Sequence, residues 1–488
     1  MSILPETKLY INGVVRRAAG DRTYEQIGPW TGEPVGKAAD ASAEDVNDAI
    51  AAARHAFDST AWATSHQHRF DLVKLLYELL VANHDRLGMI CRHEGGAAMG
   101  AIQRAQVDMA LGCYKELLNL FPQVRWTKDY GDSGPSQYRS HRKVIYEAIG
   151  VAGAITPWNV PLYVNVGKVV SALLAGCTVI LKPAPNTPGI GALFGELASE
   201  ADFPAGVLNV LTGADPVMAG EMLVTDPRVD LISFTGSTAV GKRIMEKGAA
   251  TLKRVFLELG GKSAKIVLDD VPHFAQEIAS SILVFHAGQG CAVQSRLLVS
   301  RKRYAEAVEI LRQAYKAYES KWGVFDDPTH MMGPVISKKQ MERVKGYIDL
   351  GVQEGARLIA GGNLRPDKGG GWFVEPTCFV DVTNDMRIAR EEIFGPVLVV
   401  IPYEDEEDAI RIANDSEYGL SGGVSSGDFD RALRIASRIR AGSVSVNGGM
   451  CIAGDLPFGG YKMSGVGREW GVEGIEEYLE SKVLAWRV

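Results

Sequence analysis

Apolar residues recur at helical spacing near the start of the chain. Ser42 stands where a helix N-cap is expected, and the apolar residues after it share one helical face. A second segment that begins at Phe70 has the same pattern, so we predict two amphipathic helices that open the first domain. The apolar faces consist of Val46, Ala49, Ile50, Ala53 and Phe57 in the first helix and of Phe70, Val73, Leu76, Tyr77 and Leu80 in the second.

From residue 151 onward, short apolar runs alternate with longer amphipathic stretches. The short runs predict buried strands, and the stretches between them predict helices that connect parallel strands. This alternation is typical of an α/β fold with a doubly wound parallel sheet, whose ligands bind at the carboxyl ends of the strands. The predicted order is strand 151–155, helix 163–175, strand 178–181, helix 188–200, strand 207–211, strand 231–235 and helix 239–249, followed by a second α/β series over about 260–445.

The composition fits a large globular protein. The chain has 488 residues, of which 46% are hydrophobic and 23% charged, so it can bury at least two cores. A formal net charge of −7 leaves no broad basic surface, so neither nucleic acid nor a membrane is a predicted partner. The N-terminus lacks a basic region followed by an apolar one, which favours a cytoplasmic location.

The six cysteines, at positions 91, 113, 177, 291, 378 and 451, are widely scattered. None belongs to a CxxC pair, and no histidines cluster at zinc-ligand spacing. We therefore expect a reducing compartment and no bound metal.

Three separate motifs carry the groups that an attack on a carbonyl carbon needs. Cys291 supplies a thiol, the strongest nucleophile among ordinary side chains. The Asn159 amide and the backbone N–H of Cys291 can hold the resulting oxyanion, each with an effect of about 10²–10³ on the rate. If the adduct expels hydride to a nicotinamide ring, Glu258 can activate the water that hydrolyses the thioester. Oxidation of an aldehyde to an acid is the simplest reaction that uses all three residues.

The order and spacing of the motifs resemble the aldehyde dehydrogenase superfamily from about residue 8 to the C-terminus. The resemblance implies a variant Rossmann cofactor-binding domain over residues 1–125 and 149–258, and an α/β catalytic domain over 259–457. Residues 126–148 and 470–488 would form a small β oligomerisation element that pairs between subunits, so a homodimer or homotetramer is expected. The motifs are Pro157–Pro161, Gly176–Ala184, Phe234–Gly241, Glu258–Lys262, Phe285–Cys291, Glu391–Val397 and Pro457–Gly465.

The resemblance also implies a dinucleotide site. Lys182 would reach the adenosine ribose, Glu392 the nicotinamide ribose, and Phe394 would lie beside the nicotinamide ring. Lys168 matches a family position in the cofactor pocket and is placed with the catalytic residues. On local sequence alone, the turn at Gly236 favours a simple helix cap over a cofactor contact. The remaining predicted cofactor contacts are Trp158, Gly236, Ser237 and Val240.

Two positions depart from the family pattern. Pro185 stands where many NAD-preferring members have a glutamate that binds the ribose 2′-hydroxyl. NAD remains the predicted cofactor, but without that carboxylate NADP is less strongly excluded. His286 stands where the family often has asparagine, and the imidazole is either a proton relay or a packed side chain bonded to backbone.

The predicted substrate pocket consists of Val160, Met450, Ile452 and Phe458, with Cys451 as a lining residue. These groups are apolar, and no arginine or lysine is evident among them. The pocket therefore favours a medium-chain aliphatic or aromatic aldehyde over a semialdehyde that carries a carboxylate.

Three functions follow from the resemblance. The leading one is hydrolytic NAD(P)-dependent aldehyde oxidation. The second transfers the acyl group to coenzyme A, and such relatives generally lack the counterpart of Glu258, whose presence argues against it. The third is a non-catalytic binding protein on the same fold, and loss of Cys291 or Glu258 would have suggested it.

Overall fold

The computed structural model describes residues 3–102 and 106–488 and contains two large sheets. In the first sheet, five parallel strands occupy the centre and short antiparallel strands lie at both edges. The last edge strand comes from near the C-terminus. The strands in spatial order are Val14–Arg16, Leu9–Ile11, Leu208–Val210, Thr178–Lys182, Val151–Ile155, Leu231–Thr235, Arg254–Glu258 and Gly465–Val466.

The second sheet has seven strands, all parallel except for one antiparallel pair at an edge. In spatial order they are Arg357–Ala360, Thr377–Val380, Val397–Tyr403, Arg296–Ser300, Ala264–Val267, Ser421–Ser425 and Ser443–Val446.

A third, smaller sheet is antiparallel and largely exposed. Its strands are Leu479–Arg487, Ser140–Ala148 and Thr127–Ser133, and the first two pair in register along their full length. The two segments predicted to form the small β element, 126–148 and 470–488, therefore contribute the strands of one sheet. Two further antiparallel pairs join Thr23–Ile27 to Pro34–Ala39 and Tyr418–Gly419 to Tyr461–Lys462.

Helices connect the parallel strands and cover the sheets. One of them contains a π-helical stretch, Val166–Val170, between two α-helical ends. The α-helices are Ala43–Ser59, His66–Ala82, His84–Gly95, Met99–Ala101, Asp108–Leu120, Pro161–Asn165, Ser171–Ala175, Pro188–Glu200, Met218–Thr225, Thr238–Gly248, Phe274–Ala279, Tyr304–Tyr318, Lys338–Gln353, Arg387–Arg390, Glu406–Asn414, Phe429–Ala436 and Gly471–Glu476.

The two opening helices form where the periodicity predicts them. Ser42 caps the first helix by accepting a hydrogen bond from the Asp45 N–H, and the Asp45 side chain accepts one from the Ser42 N–H in return. One predicted connection was incomplete, because helix Met218–Thr225 between the strands at 208 and 231 was not recognised. Two parallel strands require a crossover of this kind.

Alternate residues of each parallel strand enter different cores. In strand Val151–Ile155, Val151 and Ile155 pack on one face of the sheet, whereas Ala152 and Ala154 pack on the other. The second sheet divides its residues in the same way; Val267, for example, faces away from Ile266. Burial on both faces is the property of a doubly wound sheet, which confirms the predicted fold class. No helix in the described part of the chain is long and apolar enough to cross a membrane.

Candidate active site

The carboxyl ends of the central strands line up along one edge of the first sheet. Lys182 ends its strand and pairs in register with Ile155, which ends the neighbouring strand. Thr235 and Glu258 end the next two strands and pair with each other. The chain then leaves Ile155 into the turn that carries Asn159. This edge therefore presents an ammonium group, a hydroxyl and a carboxylate where ligands of such sheets bind.

A cavity of about 530 Å³ lies beside this edge, and residues of both large sheets line it. It brings together Cys291, Glu258 and Asn159, which are far apart in the sequence. The four side chains predicted for the substrate pocket also line it, namely Val160, Met450, Ile452 and Phe458. The other lining residues include Met109, Tyr163, Val164, Phe285, Gln289 and Glu469.

Cys291 lies in a tight loop without regular secondary structure. Position 261 must be glycine, because a Cβ there would lie 2.6 Å from the carbonyl oxygen of Cys291. Burial, together with the charges of Glu258 and Glu392, raises the pKa of the Cys291 thiol to about 12. The thiol of this state is therefore protonated at neutral pH, so attack on a substrate requires a group that takes up its proton.

His286 lies in the same loop, within a run of left-handed backbone. His286 and Ala287 have φ angles of 44° and 51°, values that L-residues rarely adopt. The imidazole is buried, which lowers its pKa to about 4, and neither ring nitrogen has a hydrogen-bond partner within residues 3–102 and 106–488. The ring is therefore neutral at physiological pH, and the Asn159 backbone beside it partly opposes the effect of burial on its pKa. The proton relay and the packed side chain both remain predictions for His286.

Glu258 is almost completely buried at the end of its strand. Neither of its carboxylate oxygens has a hydrogen-bond partner among the residues the structure describes. Burial raises the pKa of Glu258 well above its ordinary value, the negative charge of Glu469 raises it further, and the charges of Lys168 and Arg468 oppose both effects. A carboxyl group with a raised pKa can accept a proton near neutral pH, as a general base must.

Lys168 does not line the cavity but lies behind it, in the π-helical stretch. Its ammonium group forms a buried ion pair with Glu469 and donates to Ser233 Oγ at 3.0 Å. Glu469 in turn lines the cavity, so it connects Lys168 to the surroundings of Glu258. π-Helical turns often mark functional sites, and here the turn carries the lysine. The sequence reasoning missed Glu469 because no local motif surrounds it.

Replacement of Glu469 by glutamine is expected to make the enzyme active at lower pH. The change removes a negative charge beside Glu258 and leaves the positive charge of Lys168, so the pKa of Glu258 falls. A base with a lower pKa stays deprotonated to lower pH, and the acidic limb of the kcat–pH profile shifts in that direction. Glu473→Gln, on the exposed surface nearby, is the control. An unchanged acidic limb in Glu469→Gln would show that Glu469 does not act on Glu258.

Trp158 and Phe394 meet at one end of the predicted cofactor site. Their rings are perpendicular, with centroids 5.4 Å apart, although 236 positions separate them in the sequence (394 − 158). Phe394 has a φ of 59°, a strained conformation for a large side chain. Glu392 Oε1 accepts a hydrogen bond of 2.9 Å from the Gly261 N–H, next to the Cys291 loop. Trp158, Phe394 and Glu392, all predicted cofactor contacts, therefore lie together on one side of the site, close to the Cys291 loop.

The sheet edge supplies the remaining groups that a dinucleotide needs. Lys182 is buried, and no hydrogen bond or ion pair holds its ammonium group within the described ranges, so desolvation lowers its pKa to about 8. The hydroxyls of Thr156 and Thr235 are buried there without partners in the same ranges. Such groups are costly unless a ligand or water satisfies them. This set of donors fits the polar ribose and phosphate portions of a nucleotide.

The turn at Gly236 starts a helix at the same edge. A Cβ at position 236 would lie 2.4 Å from the Phe234 ring, which explains the glycine. Ser237 caps the helix by accepting a hydrogen bond of 3.4 Å from the Val240 N–H, and Val240 itself is exposed. The structure thus shows the cap, while contacts of Gly236, Ser237 and Val240 with a phosphate remain a prediction.

The cavity contains a lysine that was not expected from the sequence. Lys265 Nζ lies 2.8 Å from Glu277 Oε1 and 3.1 Å from Ser281 Oγ. Since the carboxylate neutralises its charge, the lysine does not offer a free cation to a substrate. Met450, which is 80% exposed, and Ile452 leave the rest of the wall apolar.

The fold and the cavity together define a doubly wound α/β enzyme with a cysteine beside a dinucleotide-type sheet edge. The chain belongs to the aldehyde dehydrogenase family, whose family model matches residues 15–484. It is 40% identical to 3-succinoylsemialdehyde-pyridine dehydrogenase of a Pseudomonas species over 98% of both chains.

Solved structures show the same relationship. The aldehyde dehydrogenase of Mycobacterium tuberculosis complexed with NAD+ is 40% identical, with a TM-score of 0.93 over 99% of this chain and 98% of that one. A mutant of aldehyde dehydrogenase C from Pseudomonas syringae, complexed with NAD+ and octanal, is 37% identical, with a TM-score of 0.91 over 98% and 96% of the two chains.

Proposed function

We propose that this enzyme oxidises an aldehyde to the carboxylic acid with NAD, through a thioester on Cys291 that water hydrolyses. The observation that carries the proposal is the single cavity shared by Cys291, Glu258 and Asn159 beside the sheet edge. Nucleophile, base and oxyanion donor are the three groups that this reaction needs from the protein.

Cys291 and Asn159 carry out the first half of the proposed reaction. The Cys291 thiol gives its proton to solvent water, its sulfur attacks the aldehyde carbon, and a C–S bond forms as the C=O π bond becomes an oxyanion. The Asn159 side-chain N–H and the Cys291 backbone N–H hold that oxygen. A nicotinamide bound beside Phe394 would supply the acceptor for the hydride that leaves the carbon, and the carbon would thereby be oxidised to the thioester.

Glu258 promotes the second half of the proposed reaction, the hydrolysis of the thioester. Its carboxylate takes a proton from water, and the water oxygen attacks the thioester carbon. The C–S bond breaks, the carboxylic acid forms, and the proton held by Glu258 passes to the departing sulfur, which regenerates both Glu258 and the Cys291 thiol. Burial is the largest cause of the raised pKa of Glu258, and the charges of Glu469 and Lys168 behind it modify that pKa in opposite directions.

The cofactor proposal rests on the sheet edge and on the relatives. Both solved relatives are complexed with NAD+. The contacts we propose for it are Lys182, Trp158, Glu392 and Phe394. The position of Lys182 at the sheet edge, the ring contact of Trp158 with Phe394 and the hydrogen bond of Glu392 with Gly261 support this choice. NADP remains possible, because Pro185 brings no carboxylate toward a 2′-phosphate; its carbonyl accepts a hydrogen bond from the Tyr24 hydroxyl.

The substrate we propose is a medium-chain aliphatic or aromatic aldehyde. An apolar cavity whose lysine is already neutralised favours such a molecule over an aldehyde with a free carboxylate. The Pseudomonas syringae relative, which holds octanal, supports the aliphatic class. The Pseudomonas relative named for a pyridine semialdehyde supports an aromatic substrate instead.

We further propose a homodimer or homotetramer in the cytoplasm. Strand Leu479–Arg487 exposes Val483, Leu484 and Trp486 on an open sheet edge, which a second subunit would cover. The six cysteines are all free, as a reducing compartment would leave them. The domain boundaries inferred from the resemblance are part of the same proposal.

A direct assay tests the proposed reaction. Purified enzyme is mixed with octanal, benzaldehyde, citral or succinic semialdehyde, with NAD and then NADP, and reduced nicotinamide is followed with and without coenzyme A. We expect turnover without coenzyme A, with octanal or benzaldehyde preferred. Turnover only with coenzyme A would favour acyl transfer, and a preference for succinic semialdehyde would contradict the substrate class.

A further inference from the structure

Two buried glutamines hold Asn159 from opposite ends. Gln106 Nε2 donates a hydrogen bond of 2.8 Å to the backbone carbonyl of Asn159. Asn159 Nδ2 donates one of 3.0 Å to the backbone carbonyl of Gln289. All three residues are buried, so water does not compete for these bonds. Both the backbone and the side chain of Asn159 are thus held in place.

Gln289 is itself fixed within the Cys291 loop. Its side-chain Nε2 donates to the His286 carbonyl at 3.1 Å, and its Oε1 accepts from the Ile336 N–H at 2.9 Å. These bonds close the left-handed run of backbone that begins at His286. The acceptor for the Asn159 amide is therefore part of the same rigid loop that carries the nucleophile.

Among residues 3–102 and 106–488, the Asn159 side chain uses only one of its two N–H groups. A primary amide carries two N–H groups in one plane, and the Gln289 carbonyl takes one of them. Gln106 holds the backbone carbonyl of Asn159, and Gln289 holds its side chain. The second side-chain N–H therefore points in one fixed direction. The proposed function assigns that N–H to the oxyanion, and the benefit of such a donor depends on its being fixed before the reaction.

Packing in the core does not explain why position 106 is a glutamine. Its Oε1 is buried without a hydrogen-bond partner in the described part of the chain. A buried carbonyl oxygen of this kind destabilises the fold, so an apolar side chain of similar size would suit the core better. Local choices that work against stability are concentrated at functional sites.

We propose that Gln106 is a positioning residue for oxyanion stabilisation and acts through Asn159. This inference rests on the proposed function. Without the Gln106 donor, the Asn159 carbonyl is left unpaired and the turn shifts, so the free N–H no longer points at the oxyanion. A small misplacement of a catalytic group costs up to about a hundredfold in rate.

A double-mutant cycle tests this coupling, with Gln106→Met as the variant that keeps the side-chain length and removes the donor. In the wild-type background we expect the rate of the first burst of reduced nicotinamide to fall by about tenfold to a hundredfold, with the Kd for NAD changed less than twofold. In an Asn159→Ala background, where the oxyanion donor is already absent, the same substitution should change the rate less than twofold.

Asn209→Leu is the control for loss of a buried amide. Asn209 Nδ2 also donates to a backbone carbonyl, that of Gly206, at 2.9 Å, but it lies on a strand outside the cavity lining. It should lower the Tm without changing the burst rate. Gln106→Leu, which also removes the donor, should reproduce the kinetics of Gln106→Met if the latter folds poorly.

The outcomes separate this inference from the function on which it rests. If Gln106→Met slows the burst equally in both backgrounds, or lowers only the Tm, Gln106 does not act through Asn159. If Asn159→Ala alone is as fast as wild type, or wild type oxidises no aldehyde, the proposed function fails instead.

Discussion

Replacement of Cys291 by alanine is expected to reduce turnover by at least about 10⁴-fold while NAD binding remains unchanged. Cys451 also lines the cavity, but of these two thiols only that of Cys291 is close enough to Glu258 for the carboxylate to raise its pKa. Loss of a catalytic nucleophile leaves only the contribution of substrate binding and of the oxyanion donors. Alanine removes only the sulfur. The contact between the Trp158 and Phe394 rings, at the predicted cofactor site, does not involve Cys291 and should be unchanged.

The measurement combines steady-state rates with NAD binding followed by protein fluorescence. Cys378→Ala is the control, because Cys378 is a free thiol buried in the second sheet, outside the cavity lining. It should keep wild-type turnover. Wild-type activity in Cys291→Ala would show that the nucleophile has been assigned to the wrong residue, and a loss of NAD binding would show that the substitution acts on the fold.

Replacement of Glu258 by glutamine is the second large effect, and it should separate the two halves of the reaction. Glutamine keeps the shape of the side chain but cannot take a proton from water, so thioester hydrolysis should slow by about 10²–10⁴-fold. Formation of the thioester requires Cys291 and Asn159, which remain in place. We therefore expect a burst of about one reduced nicotinamide per active site, followed by slow turnover.

Stopped-flow mixing measures the burst, and its pH dependence gives a further check. Since the pKa of Glu258 is raised by burial, wild-type turnover should fall as pH decreases through that pKa, because the base becomes protonated. Glu258→Gln should lose this dependence. Recovery of fast turnover in the variant on addition of coenzyme A would favour the acyl-transfer function. Full hydrolytic turnover would refute the role of Glu258.

Local sequence predicted much of the fold and the reacting residues. Runs such as 151–155 and 179–181 are apolar and buried at every position, and this pattern alone specifies strands covered on both faces. Cys291, Glu258 and Asn159 were found because each stands in a short motif whose residue types perform one chemical step. Helix Met218–Thr225 was missed because its eight residues are too few for a clear helical period.

The amino-acid sequence by itself thus determined the α/β class and the family resemblance, and it predicted the three reacting groups, since these depend on neighbours in the chain. Only the tertiary structure decided that Glu469 pairs with Lys168, that Gln106 holds Asn159 and that Lys265 is neutralised by Glu277. The physical reason is that burial and charge act through space. A pKa, or the direction of one N–H, depends on residues that the fold brings from distant segments, and no local pattern encodes them.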